Sequence, residues 1–332
     1  MPNTGIILTL AYPETIVMVA KEWYSPLMRY IGIGKKNYLR AGHAALVLID
    51  KSMGVLEYHD FGRYITPEPN GRVRGRDTDR ELDFPIKAQI KQDELVNLDE
   101  ILKFLATHPK LTHGDGTLYA SVCNRVDYDY ARAHITHMQQ RHFIRYAAFI
   151  KGACNCARFV TGALIASVTD KTIKKRLQRS IWFTPSTIGN VVLADTENKV
   201  CEVSEIGEIT TFTSSVSKVN RQNFLDRLPG HVPDFTGTLK PRFHDEHAHH
   251  AQWLSGIAAG AWFEVYATDT SEVFRFRRVS PYGHVDVNGL YRISEVGFDI
   301  TKPYTFEQYS NCAFFHIRQA ETLYRFDFLE DS

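Results

Sequence analysis

The chain has 332 residues, of which 44% are hydrophobic and 23% are charged, and its formal net charge is +1. This length suits two domains, and the composition is that of a globular protein with a large apolar core. The balanced charge excludes the broad basic surplus that predicts bulk attraction to nucleic acid or to an anionic membrane, so no nucleic-acid partner is expected.

The N-terminal segment, MPNTGIILTLAYPETIVMVA, predicts a strand over residues 5–11 and not a signal peptide or a membrane span. It lacks a basic leading segment, and Pro13 and Glu14 interrupt its apolar run. The chain has only five cysteines, which argues against a disulfide framework and fits a reducing compartment. We therefore expect a cytoplasmic protein without a membrane span, and secretion by a signal-free route stays open.

The stretch HAALVLID at residues 43–50 is almost continuously apolar and predicts a central strand that is buried on both faces. Residues 54–61 predict its hairpin partner. A loop is expected over 66–80, and the short basic runs at 72–76 and 174–176 are expected on solvated faces. The other elements predicted before residue 198 are a helix over 97–107, a strand over 118–123, a helix over 127–140 that begins at Asp127, a strand over 145–150, a helix from Cys156, a helix over 171–179 and a closing loop over 184–190.

From about residue 200 the pattern changes to alternating strands, which predict an all-β second part. The predicted class is therefore α+β, with a first domain over residues 1–198 and a β-rich domain over 199–332. The His-rich run RFHDEHAHH at 242–250 is expected to be a solvated segment and not a metal site. The strands expected in this part cover residues 261–267, 272–279, 289–295, 312–318 and 322–328.

Two cysteines flank one asparagine at the start of a predicted helix, in the segment KGACNCARFV. Asn155 is a good N-cap residue, which places Cys156 at the first helical position and on the buried stripe. The partial positive charge of a helix N-terminus favours the nucleophilic thiolate, and its free N–H groups can bind an oxyanion. Cys156 is therefore a candidate nucleophile, and a small core hydrophobe is the competing interpretation. Cys154 precedes the helix and is expected to be structural.

A cysteine nucleophile needs a base within hydrogen-bond reach, and the candidate base is His43. It is distinguished from the other histidines because it begins the most buried of the predicted strands. A polar ring at the mouth of such a strand needs a partner. A histidine with a purely structural hydrogen bond is the competing interpretation.

The third residue of the site depends on the register of the predicted hairpin. If the turn has three residues, Ala45 faces His59, which is then a diagonal neighbour of His43 at about 7–8 Å. We therefore expect His59 to orient His43. Glu57 projects to the same side of the sheet as His59 and is one alternative. A turn one residue longer or shorter turns the second strand over, and Asp60 then replaces His59 as the other alternative.

This order of elements resembles the permuted NlpC/P60 papain-like superfamily, which includes the lecithin:retinol acyltransferase-like proteins. Asn155-Cys-Ala-Arg-Phe-Val160 is similar to the N-C-x-x-F-V helix start of that superfamily, and GHAALVLID resembles its histidine strand. EYHDFGRY falls where its third polar residue is expected. The resemblance covers about residues 4–195, with a long insertion over 62–115. The whole chain also resembles a bacterial family that has no assigned function.

The resemblance implies a permuted papain-like domain with a central antiparallel sheet and thiol acyl chemistry, in which His43 deprotonates Cys156. It implies a cysteine hydrolase without a cofactor, acting on a peptide-like amide before a lipid acyl ester or an acyl transfer. A binding protein on a papain-like scaffold is the alternative, and a metal-binding protein that uses residues 244–250 is a third. By analogy, the β-rich domain binds the substrate or a partner protein.

Overall fold

The computed structural model describes residues 2–231 and 238–332 of the protein. It contains a first, eight-stranded sheet with helices on both faces and a second, seven-stranded sheet in the C-terminal part, and all neighbouring strands in each are antiparallel. The predicted α+β class, with a central antiparallel sheet and a β-rich C-terminal part, is confirmed. The permuted papain-like arrangement stays a prediction.

The strands that precede the C-terminal sheet form the first sheet and two short ribbons, and the order across the first sheet is β10-β6-β5-β4-β1-β9-β11-β12. The ribbons pair β2 with β3 and β7 with β8. These strands are β1 (Gly5–Tyr12), β2 (Ile16–Met18), β3 (Tyr38–Arg40), β4 (His43–Asp50), β5 (Leu56–Gly62), β6 (Asn70–Arg74), β7 (Ile90–Lys91), β8 (Glu94–Leu95), β9 (Leu118–Val126), β10 (Ile144–Arg145), β11 (Cys201–Val203) and β12 (Ile209–Thr211).

All the α-helices of the described residues lie in the same part of the chain, and a short 3-10 helix covers Arg80–Leu82. None of the helices in residues 2–231 and 238–332 has the length and apolar character needed to cross a membrane. The α-helices are α1 (Ser25–Tyr30), α2 (Leu98–Thr107), α3 (Pro109–Thr112), α4 (Tyr128–Gln140), α5 (Cys156–Ser167), α6 (Lys171–Ser180), α7 (Thr187–Ala194) and α8 (Val216–Phe224).

Strands β1 and β4 lie at the centre of the first sheet and are buried along their whole length. They pair from Gly5 opposite Asp50 to Tyr12 opposite His43. One face of the sheet packs against α4 and α5, and the other packs against α2. A strand covered on both faces requires a nearly continuous apolar run, so the predicted buried strand is confirmed. The same packing places the N-terminus of α5 beside the first residues of β4.

Three predicted elements before residue 198 are wrong. The expected loop over 66–80 contains β6, which pairs with β5. The expected strand over 145–150 shortens to β10, because the chain turns back and Cys154 donates its N–H to the carbonyl of Arg145 at 2.9 Å. The expected closing loop over 184–190 includes the first turn of α7, where the Ser186 hydroxyl accepts the Gly189 N–H at 3.0 Å.

The second sheet is built around an aromatic core. Phe276, Phe315 and Phe326 are fully buried, and the Phe315 ring stacks on both of the others at centroid distances of 4.4 Å. The five strands predicted there are confirmed, and β13 and β17 are additional. Its order is β13-β14-β15-β16-β19-β18-β17. These strands are β13 (Gln252–Ser255), β14 (Gly260–Ala267), β15 (Val273–Val279), β16 (Val285–Ile293), β17 (Thr305–Glu307), β18 (Phe314–Gln319) and β19 (Thr322–Asp331).

The chain directly after residue 198 does not belong to the second sheet. Strand β11 pairs with β9 of the first sheet, β12 pairs with β11, and the helix α8 packs near α7. The expectation that everything beyond residue 200 is all-β is therefore wrong for residues 201–224. The division into domains at residues 1–198 and 199–332 stays a prediction.

Buried ion pairs join the second sheet to the first part of the chain. Arg278 of β15 is 2% exposed and lies 3.4 Å from Asp79 and 2.7 Å from Glu81. Asp79 also receives two hydrogen bonds of 2.6 Å from Arg72. The basic run at 72–76 is therefore not a solvated face: Arg72 and Arg74 are both buried, because each has a buried carboxylate partner.

Candidate active site

The helix α5 begins at Cys156, as predicted, because Asn155 caps it. The Asn155 backbone is extended, and its side-chain oxygen accepts the Arg158 N–H at 2.9 Å. The segment before the cap is held by the Cys154 carbonyl, which accepts the Ala147 N–H at 3.0 Å. These local bonds fix the position of Cys156 at the first turn of the helix. There the backbone N–H groups lack intrahelical acceptors, and the helix dipole places a partial positive charge.

Cys156 is 6% exposed, and its thiol is surrounded by hydrogen-bond donors. Burial alone raises the pKa of a thiol, but here the hydrogen bond and charge of His43 and the N–H groups of Ala44 and Ala157 lower the pKa of Cys156 below its usual value. The hydroxyl of Tyr146 is a further hydrogen-bond partner of this thiol. In contrast, burial raises the pKa of the Cys154 thiol to about 12. The site therefore favours the thiolate form of Cys156 and the thiol form of Cys154.

His43 is the first residue of β4 and lies between Cys156 and Asp60. Its Nε2 is 3.1 Å from Asp60 Oδ2. Burial lowers the pKa of the imidazole, but the hydrogen bonds to Asp60 and Cys156 outweigh burial and raise the pKa of His43 to about 9. The pKa of His43 is raised and that of Cys156 is lowered, and both shifts favour the imidazolium–thiolate form of the pair.

Asp60 is fully buried and holds its charge because cations and hydroxyl groups surround it. Burial raises the pKa of this carboxyl, but the charge of Arg74 and the hydrogen bond to His43 keep the pKa well below its usual range. Arg74 donates to the two carboxylate oxygens at 3.0 and 2.6 Å. Tyr58 and Tyr64 donate their hydroxyl groups at 3.2 and 2.9 Å. These bonds fix the carboxylate that orients His43.

The prediction that His59 contacts His43 is wrong, because the predicted register of the hairpin is wrong by one residue. Asp50 donates its N–H to Val55, so the turn has one residue more than assumed. Ala45 therefore faces Asp60, and His59 projects to the other face of the sheet. Asp60, one of the two open alternatives, is the residue that contacts His43.

His59 and Glu57 instead form a separate buried cluster under α4. His59 Nδ1 lies 3.2 Å from the carbonyl oxygen of Arg74, and its Nε2 is 3.7 Å from Glu57 Oε2. Tyr128 donates its hydroxyl to Glu57 at 2.5 Å, and Arg132 lies 3.1 Å from it. Burial raises the pKa of Glu57, but these partners outweigh it and lower the pKa to about 2. This cluster lies on the face of the sheet that α4 and α5 cover, opposite to Asp60, and its hydrogen bonds and ion pairs do not include His43 or Cys156.

A cleft of about 910 Å³ opens beside Cys156. Its walls come from the segment before α1, the chain around residue 149, the chain between α6 and α7, and α8. The residues that line it are mainly apolar or aromatic, including Trp23, Tyr24, Phe149, Phe183 and Phe224. Its volume is at the upper end of the range of about 300–1,000 Å³ for ligand pockets. Cys156 is therefore accessible to a ligand from one side although its thiol is buried.

No role in the site was predicted for Tyr64, Arg74 or Tyr146. Arg74 lies in β6, where Arg72 and Arg74 alternate with apolar Val73, and this period of two was the available sign of a strand with buried arginines. Nothing in the local sequence links Tyr146 to Cys156, because the contact depends on how the chain turns back after β10. In the described residues no group of three or more His, Cys, Asp or Glu side chains is arranged to hold a metal ion.

A family model described as type VI secretion system effector TseH-like matches residues 7–173, which include His43, Asp60 and Cys156. A model described as the DUF6695 C-terminal domain matches residues 251–329, close to the extent of the second sheet. No curated protein matches the chain. The crystal structure of the type VI secretion system effector TseH is similar at 14% identity with a TM-score of 0.39, and the match covers 64% of this chain and 99% of that chain.

Proposed function

The chain belongs to the type VI secretion system effector TseH-like family, and we propose that it is a cysteine hydrolase with Cys156 as nucleophile and His43 as acid–base residue. The observation that carries the proposal is the hydrogen-bonded row Asp60–His43–Cys156, in which the pKa of the thiol is lowered and that of the imidazole is raised. Such a pair holds an activated nucleophile next to its proton donor. Asp60 is the positioning residue that orients His43.

The reaction begins from the thiolate–imidazolium pair. The Cys156 sulfur attacks the carbonyl carbon of an amide or ester, and a C–S bond forms. The protonated His43 then gives its proton to the leaving nitrogen or oxygen as the C–N or C–O bond breaks. This leaves an acyl group on Cys156 and a neutral imidazole beside it.

The negative charge that develops on the carbonyl oxygen needs donors at the start of α5. The backbone N–H of Cys156 is at the first helical position, where helix N–H groups lack intrahelical acceptors. The Tyr146 hydroxyl, which hydrogen-bonds the thiol, is a second donor at the same place. Fixed donors of this kind stabilise the charge of the transition state more than that of the ground state.

Hydrolysis of the acyl-enzyme completes the cycle. Neutral His43 takes a proton from a water molecule, the resulting hydroxide attacks the thioester carbonyl, and the C–S bond breaks to release a carboxylic acid. The proton on His43 restores the starting ion pair. The resemblance favours peptide amides over lipid acyl esters, and the pair of Cys156 and His43 can cleave either bond.

The proposal is tested with 4-nitrophenyl acetate as an activated ester. We expect a rapid burst of nitrophenolate of about one equivalent per protein molecule, and an acetyl group that peptide mapping by mass spectrometry locates on Cys156. Cys156→Ala is expected to lose both signals, and Cys154→Ala, two residues away, is the matched control that retains them. A silent binding protein would give no burst, and an equal burst from Cys156→Ala would exclude Cys156 as the nucleophile.

A further inference from the structure

We propose that the substrate is a membrane phospholipid and that the mouth of the cleft docks on an anionic lipid surface, so that Cys156 cleaves an acyl ester bond. This inference rests on the proposed cysteine hydrolase activity and names the substrate class of that site. It differs from the peptide-like substrate that the sequence favours. Three features of the described residues carry it. The charged residues that line the cleft already bond to other groups of the protein, an exposed aromatic strip lies at the mouth of the cleft, and a basic helix leads into that strip.

The charged residues that line the cleft are Glu22 and Arg40, and both already have partners within the protein. Glu22 accepts the N–H groups of Ala148 and Phe149 at 2.6 and 2.9 Å. Arg40 lies 3.0 Å from Asp226. A charged peptide or a sugar would have to bury polar groups here against an apolar wall, which is costly without new partners. A hydrocarbon chain meets no such cost.

The amide nitrogens of two asparagines in the cleft already donate to acceptors within the protein. Asn190 donates to the carbonyl oxygen of Ala157 at 2.8 Å and accepts from the Thr161 hydroxyl at 2.8 Å. Asn220 donates to the Ser186 hydroxyl at 3.0 Å. One N–H of each amide is therefore engaged before a substrate enters. With its charged residues paired and its lining mainly apolar, the cleft suits a ligand that is held chiefly by apolar contact and presents its polar group at the reacting carbonyl.

An aromatic strip runs across the mouth of the cleft. The ring centroids of Trp23 and Tyr24 are 5.9 Å apart, those of Tyr24 and Phe149 are 5.2 Å apart, and those of Phe149 and Phe183 are 4.9 Å apart. Trp23 is 75% exposed, Phe183 is 70% exposed and the adjoining Trp182 is 89% exposed. A contiguous exposed apolar surface around a cleft marks an interaction site, and Trp and Tyr are the residues that favour the boundary between lipid and water.

The helix that leads into this strip is basic. α6 buries only Ile173 and Leu177 and is followed directly by Ile181, Trp182 and Phe183. Within the part of the chain that the structure describes, none of its cations forms a salt bridge, and the helix itself contains no acidic residue. Exposed cations beside exposed aromatic side chains match a surface of anionic headgroups over acyl chains. The cations of α6 are Lys171, Lys174, Lys175, Arg176 and Arg179.

The overall charge of +1 conceals this local pattern, because acidic residues elsewhere balance the basic helix. Docked in this way, the aromatic strip lies at the headgroup level and the cleft extends from it to Cys156. A phospholipid acyl chain enters the cleft and presents its ester carbonyl to the thiolate. The C–S bond forms, the ester C–O bond breaks, His43 gives its proton to the departing lysophospholipid oxygen, and water then releases the free fatty acid and restores the proton on His43.

The test uses the full chain with vesicles of phosphatidylcholine containing phosphatidylglycerol, and with vesicles of phosphatidylcholine alone. Fatty acid and lysophospholipid are measured by mass spectrometry, vesicle binding is measured by cosedimentation of Cys156→Ala, and 4-nitrophenyl acetate hydrolysis is measured in parallel. We expect release from the anionic vesicles that Cys156→Ala abolishes. We expect Trp182→Ala to lower that release about tenfold more than it lowers acetate hydrolysis. Phe243→Ala, which removes an aromatic ring that is 77% exposed in the C-terminal part, is the matched control and is expected to change neither rate.

The outcomes separate the two proposals. Hydrolysis of 4-nitrophenyl acetate that requires Cys156, without binding or hydrolysis of either vesicle, would overturn the lipid inference and leave the cysteine hydrolase in place. Association of the protein with itself instead of with vesicles would also overturn it, because the aromatic strip would then have a second copy as its partner. If the wild-type protein hydrolyses neither 4-nitrophenyl acetate nor the vesicles, the hydrolase is rejected. If Cys156→Ala binds vesicles but the wild type does not hydrolyse them, the docking surface is supported and the phospholipid substrate is overturned.

Discussion

The carboxylate of Asp60 lies 3.1 Å from His43 Nε2 and, through its two oxygens, also binds Arg74 at 3.0 and 2.6 Å. One buried carboxylate therefore neutralises a buried guanidinium and orients the proposed acid–base residue. The contact joins neighbouring strands of the first sheet, since Asp60 lies in β5, His43 in β4 and Arg74 in β6. The register of these three strands therefore determines how His43 is oriented.

Asp60→Asn is expected to damage both activity and stability. Loss of the carboxylate charge lowers the pKa of His43 and weakens the ion pair, so kcat should fall by about 10²- to 10⁴-fold. The buried Arg74 loses its charge partner, which should lower the free energy of unfolding by about 3–5 kcal/mol. Both are measured on protein shown to be folded by circular dichroism, with kcat from ester hydrolysis and stability from urea denaturation.

Glu57→Gln is the matched control for that variant, because Glu57 lies in the same strand, is equally buried and is also paired with an arginine. It should cost stability by a comparable mechanism and leave kcat within a few-fold of the wild type, because the partners of Glu57 are Tyr128, Arg132 and His59 and do not include His43 or Cys156. Equal losses of kcat in the folded forms of the two variants would mean that Asp60 acts only through stability.

The pH profile of kcat/KM should fall on the alkaline side at about pH 9, where the imidazolium of His43 loses its proton. Below that pH the general acid is present, and above it no proton is available for the leaving group. On the acid side, activity should be lost as the thiolate of Cys156 is protonated, at a pH below the ordinary pKa of a thiol. In Asp60→Asn the alkaline limb should move to lower pH. A profile that still rises well above pH 9 would contradict an ion pair as the reactive form.

Tyr146→Phe removes one hydroxyl from the site and keeps the packing. The ring stacks on Phe61 at 5.9 Å and lies under the Arg63 guanidinium at 4.5 Å, and neither contact uses the hydroxyl. We expect kcat to fall by about 10²-fold, as for loss of one oxyanion donor, with little change in KM or melting temperature. Tyr128→Phe, whose hydroxyl binds Glu57, is the control that should retain kcat. A rise in KM without a fall in kcat would assign Tyr146 to substrate binding instead.

The junction between the two sheets should depend on Arg278. Arg278→Ala removes the buried cation that Glu81 and Asp79 share, although Asp79 keeps its two hydrogen bonds from Arg72, and should lower the free energy of unfolding by about 1–3 kcal/mol. Arg318→Ala is the control in the same sheet, because its pair with Glu307 is exposed, at 45% and 36% of the two side chains, and is worth at most about 1 kcal/mol. Chemical denaturation measures both, and similar small losses would show that the junction is not held by its buried charges.

The local features of the site were predictable from the sequence because they depend on neighbouring residues. The apolar run of β4 predicted a buried strand, and the asparagine before Cys156 predicted the start of α5, since capping acts within one turn. The partner of His43 was harder to predict. It depends on the length of the turn between β4 and β5, because one residue more or less in that turn exchanges the two faces of β5.

The buried arginines and the cleft were missed for a different reason. Arg72 and Arg74 look exposed when only their own segment is considered. Arg74 is buried because Asp60 binds it from the neighbouring strand, and Arg72 is buried because the chain after β6 folds back and brings Asp79 to it. The aromatic strip assembles from segments around residues 23, 149 and 183, and no local pattern connects these segments. Contacts between distant segments decide both features, so they became visible only in the structure.

The most direct test of the central claim is the pH dependence of iodoacetamide alkylation, followed for each cysteine by mass spectrometry in the wild type and in His43→Ala. We predict that Cys156 is alkylated well below the usual thiol pKa of about 8.5 in the wild type and loses that reactivity in His43→Ala. Cys154, whose pKa burial raises to about 12, is the internal control and should stay unlabelled in both. Alkylation of Cys156 that follows the same pH curve in both proteins would contradict the thiolate–imidazolium pair on which the proposed hydrolase depends.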